Sequence, residues 1–133
     1  MKELIFAEEG KLQFGDYRLQ EKAKQEDFAF GGDLYKVKTF YEITKLERNG
    51  LLAYESVPGS TVRDFEQDGQ GLRFRAESLG SVQLSLGLEE DREYEVFADE
   101  KPLGLMKTNR SGKLVLSLEF EEGKPIALRF MKR

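Results

Sequence analysis

Carboxylates are the one reactive side-chain type that this chain groups together, in Glu8-Glu9, Glu89-Glu90-Asp91 and Glu121-Glu122. A hydrolase built on paired carboxylates needs two of them about 5–10 Å apart in a cleft, one holding its proton at neutral pH. Neighbours in sequence beside a turn point different ways and stay hydrated, so these runs read as solvated surface. Asp68 and Asp99 are expected to shape turns through their short side chains. The stretch "FEQDGQG" offers one Asp and a glycine pair, whereas a calcium loop supplies several oxygens at fixed spacing. No glycine-rich phosphate loop precedes a helical pattern. No metal and no cofactor is implied.

The sequence has neither cysteine nor histidine. That excludes thiolate chemistry, Cys-type zinc sites and Ser–His or Cys–His catalysis within the chain. The usual neutral-pH proton carrier is absent too, so catalysis would have to use carboxylates, Lys, Tyr, Ser or Thr.

Aromatic side chains are the second chemical resource. Sugar-binding sandwiches stack ring faces on pyranoses, and the candidate ligand-binding platforms are Phe40, Tyr54, Tyr17 and Phe97. Each also fits as half-buried packing. Phe40 stands out within "FGGDLYKVKTFYEI". At period two, Tyr35, Val37, Thr39, Tyr41 and Ile43 share an inward face, while Phe40 falls with Leu34, Lys36, Lys38 and Glu42. Either a bulge near Thr39 turns Phe40 inward, or another segment covers it, or it is exposed.

The surrounding elements are strands. Leu114, Leu116, Leu118 and Phe120 alternate with polar or smaller residues, as do Ile126, Leu128 and Phe130; Leu72, Phe74 and Ala76; Val82, Leu84 and Leu86; and Tyr94, Val96 and Ala98. "RNGLL" carries an Asn-Gly hairpin signal, and "QDGQG", "RSGK" and "EEGK" separate later strands. "VPGS" at 57–60 is the clearest break. Before it, strands are expected at 3–6, 11–14, 25–30, 34–40, 43–48 and 51–56; after it, seven more follow. "LQEKAKQED", from Leu19, has helix formers but no apolar stripe, so at most one or two exposed helical turns are expected there. The expected fold is an all-β antiparallel sandwich over 1–133. Its second region, 59–133, is immunoglobulin-like, with the strands of 1–58 packed on it as one unit. Lys36, Lys38, Arg73 and Arg75 are expected to protect sheet edges.

The 133 residues carry 21 basic and 25 acidic side chains, a net charge of −4, with the signs interspersed. This gives no electrostatic footprint for nucleic acid. The first apolar run has four residues before Glu8-Glu9, shorter than a signal peptide or a membrane span needs. A cytoplasmic location is therefore the default expectation, though a chain trimmed of a leader would look the same.

The pieces "GDLYKVKTF", "EITKLERNG", "YESVPG" and "MKTNRSGKL" resemble small all-β proteins of gut clostridia commonly labelled endosialidase, over most of the chain. The stretch from Tyr94 also resembles the last strands of immunoglobulin-like modules appended to polysaccharide-active enzymes. There a "DGK"-like turn joins two strands; here "DEKP" lacks the glycine, and a longer turn is expected. Sialidases resemble one another through S-x-D-x-G-x-T-W boxes and clustered arginines. This sequence has no such box, and its arginines are scattered from Arg18 to Arg133, so no catalytic position carries over. What the resemblance implies is an accessory or stand-alone β module. The leading functional expectation is a non-catalytic protein acting by surface recognition, with a protein partner or a second copy meeting a sheet edge or face. A carbohydrate-binding accessory domain comes second, and a carboxylate- or Tyr-based glycosidase third.

Overall fold

The computed structural model describes residues 3–133, which form thirteen strands. They are β1 (Ile5–Glu8), β2 (Lys11–Phe14), β3 (Ala23–Phe30), β4 (Asp33–Phe40), β5 (Ile43–Arg48), β6 (Leu51–Val57), β7 (Thr61–Asp68), β8 (Gly71–Glu77), β9 (Gly80–Gly87), β10 (Glu93–Ala98), β11 (Lys101–Lys107), β12 (Lys113–Phe120) and β13 (Ile126–Lys132). Two antiparallel sheets result, a seven-stranded one ordered β1-β2-β7-β8-β13-β10-β11 and a six-stranded one ordered β12-β9-β6-β5-β4-β3. The chain is an all-β sandwich.

Alternation builds the layers. Leu72, Phe74, Ala76, Leu128 and Phe130 face inward from the larger sheet, and Val82, Leu84, Leu86 and Leu114 from the smaller. Tyr54, from β6 in the smaller sheet, reaches across to the larger. Its ring meets Phe14 and Phe74 edge-on, each at 5.4 Å, and Phe65 at 6.3 Å. Such edge-to-face contacts add to the hydrophobic gain of burying large rings. Regions 1–58 and 59–133 both supply strands to both sheets and residues to one core.

Three local expectations need correction. The stretch from Leu19 has no helix: it runs through bends into β3, because without an apolar stripe it has nothing to bury as a helix. The Asp99-Glu100 turn is not lengthened by its missing glycine. Both residues take positive φ (50° and 65°), and Ala98 pairs with Lys101 across a two-residue loop. Nor do Lys36, Lys38, Arg73 and Arg75 guard edges, since β4 is flanked by β3 and β5, and β8 by β7 and β13.

The second region supplies both layers, as an immunoglobulin-like sandwich does, but in a different order. In that fold the last strand shares a sheet with the third and sixth. Here β13 lies between β8 and β10, while β9 and β12 continue into β6. The turn after β12, closed by the Glu121–Lys124 bridge, carries the chain from the smaller sheet to the larger.

Candidate functional site

The four proposed platforms are scattered. Tyr54 is fully buried and presents no face to a ligand, which corrects its candidacy: its ring fills the centre of the core. Burial pushes its hydroxyl pKa up to about 12. Tyr17 is 8% exposed, with the Arg18 guanidinium 5.4 Å from its ring, so it too is mainly packing. Phe97 lies on the outer face of the larger sheet beneath Arg129, whose guanidinium carbon sits 4.1 Å from the ring centre. Phe40 lies on the outer face of the smaller sheet and is half-buried. No bulge turns it inward, because β4 and β5 keep register from Tyr35–Arg48 to Phe40–Ile43. Tyr41 packs edge-on against it at 5.3 Å, and Lys22 Nζ stands 6.0 Å from its ring centre.

Beneath Tyr54 lies a cluster of hydroxyls that the sequence reading did not assemble. Tyr54 Oη shares a 2.7 Å hydrogen bond with Ser60 Oγ, and Ser56 Oγ shares one of 2.6 Å with the same atom. Thr44 Oγ1 donates to the Ser60 carbonyl (2.7 Å), accepts from the Ser60 N–H (2.9 Å) and pairs with Thr39 Oγ1 (2.8 Å). Thr39 Oγ1 also accepts from the Asp16 N–H at 2.9 Å. The cluster thereby ties residues 16 and 60, in two sheet-crossing connections, to β4, β5 and β6. Thr39 on an apolar face was the available signal. The partners needed the strand register.

On the larger sheet, arginines and carboxylates interlock. Arg75 Nη2 lies 2.6 Å from Asp64 Oδ2, Arg73 Nε 2.9 Å from Glu66 Oε1, and Arg129 Nη2 2.8 Å from Glu100 Oε2. A shallow depression of about 240 Å³ lies among them over Ala127, whose small side chain leaves the gap. It gathers three carboxylates, Asp64, Glu66 and Glu100. The Arg75 hydrogen bond, then that of Gln13, holds Asp64 below the usual carboxylate range. A glycosidase acid needs the opposite shift.

The four sheet edges differ. On one side of the sandwich, β1 has only four residues, and β3 is interrupted by a register shift between Gln25 and Phe28, with Asp27 at φ 56°. These two edges approach each other, and the Leu4 N–H donates to Gln25 Oε1 at 3.2 Å. On the other side, β11 carries Pro102 and a bulge opposite Val96/Phe97, with Gly104 at φ 106°. β12 has none of these features. Its eight residues pair without a break from Lys113–Gly87 to Phe120–Gly80; on its far side Asn109 takes the N–H and C=O of Lys113, and from Val115 onward no strand of the described residues lies beside it. Inward lie Leu114, Leu116, Leu118 and Phe120; outward lie Lys113, Val115, Ser117 and Glu119, with Val115 48% exposed.

No family model matches the chain, and no match was found among the curated proteins or the solved structures.

Proposed function

We propose that this protein is a non-catalytic recognition module that joins sheets with a second copy of itself along β12. The observation that supports this reading is the contrast among edges: three are short, bulged or proline-bearing, and β12 is long, regular and apolar on its inner face. An exposed edge of that kind pairs with another strand through main-chain hydrogen bonds, and side chains set the register. Antiparallel self-pairing centred on Leu116 places Leu114 opposite Leu118 of the other copy and Lys113 opposite Glu119, twice by symmetry. Both charges lie on the outer face of β12. The half-buried Leu118 would gain a hydrophobic neighbour. The accessory-module reading drawn from the sequence resemblance accords with this function.

The test is sedimentation velocity over a concentration series. The wild type is expected to shift from monomer to a closed dimer. Lys113→Glu should weaken association by setting like charges opposite, and the swap Lys113→Glu/Glu119→Lys should restore it. A strict monomer at every concentration, or a swap that fails to rescue, overturns the proposal.

A further inference from the structure

The outer face of the smaller sheet carries a row of like charges. Lys24 on β3 lies directly opposite Lys38 on β4, which lies directly opposite Lys45 on β5. Directly opposed like charges destabilise an antiparallel sheet. In a chain of net charge −4, nothing in the overall balance calls for three in a line. Lys36 sits two residues along β4 on the same face, and a small depression of about 70 Å³ is lined by Lys24, Lys36, Lys38, Lys45 and Glu47. Two of these lysines have acidic neighbours: Lys36 Nζ is 3.5 Å from Glu26, and Lys45 Nζ is 3.5 Å from Glu47. Among the described residues, no carboxylate lies within 4.0 Å of the Lys24 or Lys38 ammonium. The contrast with the larger sheet is direct, since Arg73, Arg75 and Arg129 each have a carboxylate within 3.0 Å.

One flank of the row, beside its middle strand, is aromatic. Phe40 follows Lys38 by two residues on the same face, Tyr41 packs against its ring and is 47% exposed, and Lys22 stands over it. Neighbouring strands lie about 4.8 Å apart, so three strands spread the charges over about 10 Å. Lysine supplies compact, mobile point charges suited to anions presented one at a time along a chain.

We infer that the row Lys24–Lys38–Lys45, with Phe40 and Tyr41 beside its middle strand, is a binding site for an acidic polysaccharide, the lysines meeting its carboxylates or sulfates and the rings meeting a sugar face. A single-stranded nucleic acid fits less well. It calls for a basic groove with several aromatic platforms along its length, and here a single aromatic pair lies beside the middle strand. An acidic peptide would use the lysines and leave the rings idle.

Binding of the full-length chain to heparin and to polygalacturonate, measured by calorimetry at low salt, tests the site and separates sulfate from carboxylate recognition. Dextran, poly-glutamate and a single-stranded oligonucleotide serve as comparators. Tighter binding to one of the acidic polysaccharides than to any comparator is expected, weakening as salt rises. Lys24→Gln/Lys38→Gln should weaken it about tenfold, the scale of two exposed charge contacts. Arg73→Gln, on the other sheet, should leave it unchanged. Phe40→Ala should weaken polysaccharide binding more than poly-glutamate binding. Absence of binding to both acidic polysaccharides overturns the inference, as does equal binding by the double variant. An equal loss in Arg73→Gln would replace the site with diffuse attraction. Tighter binding of the oligonucleotide or poly-glutamate would assign the row to that class instead.

Discussion

The two faces of the β4–β5 pair make opposite use of the same register. On the inner face, Thr39 lies opposite Thr44, and their hydroxyls join at 2.8 Å. One residue away on the outer face, Lys38 lies opposite Lys45. Among the described residues, every buried side-chain polar atom of the structure has a partner. The inner threonines belong to a closed circuit that fixes the loops around residues 16 and 60 and offers nothing to a visitor. On the outer face Lys36 and Lys45 have carboxylate neighbours, while among the described residues Lys24 and Lys38 have no carboxylate within 4.0 Å. Buried polar groups must be satisfied, because an orphan costs the full desolvation of that group. Exposed charges carry no such obligation, so an unfavourable arrangement persists on the surface at small cost. Polarity inside therefore reports on architecture, and polarity left unbalanced outside points to partners.

The comparison breaks most forcefully at Tyr54. Tyr54→Ala should cost about 3–5 kcal/mol of stability in urea titration, since it opens a cavity among Phe14, Phe65 and Phe74 and takes one hydrogen-bond partner from Ser60, which keeps Ser56. A smaller effect appears with alkali. The Tyr54 pKa is raised from 10.0 to about 12, so the folded state keeps its proton while the unfolded chain loses it. The stability from this group is complete below pH 10 and is lost as pH climbs toward 12, on the order of 3 kcal/mol in all. Tyr54→Phe should flatten that part of the alkaline limb, as read by pH-dependent unfolding. An unchanged limb would mean that the hydroxyl is hydrated in the native protein.

Much of the fold was legible because it rests on local rules. Period-two runs marked the strands, Asn49-Gly50 marked the β5–β6 hairpin through its two positive φ values (52° and 80°), and Asp68 caps its turn by accepting from the Gln70 N–H at 2.8 Å. Layer membership was not legible. No periodicity says that β13 lands between β8 and β10, since that depends on which way each connection crosses the sandwich. The irregularities also hid. The positive φ of Asp27 and Asp64 accompanies register shifts in β3 and β7 at ordinary polar residues. The site suffered most. Lys36 and Lys38 read as edge protection because strand neighbours were unknown, and Lys24 sat in a supposed helical stretch. Only pairing reveals a row. Tyr54 misled for a related reason. The β5–β6 register shift after Leu46 buries Ala53 and Tyr54 in succession, which defeats strict alternation.

The smallest expected effect tests the contrast most directly. Thermal melting of Lys38→Gln against wild type, at low and at high salt, measures whether the outer row strains the sheet. Removing the middle charge should stabilise the fold by about 0.2–1 kcal/mol at low salt, a rise of a few degrees in Tm, and salt should raise the Tm of the wild type more than that of the variant. A variant that melts lower than wild type at low salt, with the same salt response, would contradict the account, because Lys38 would then be an ordinary stabilising surface residue.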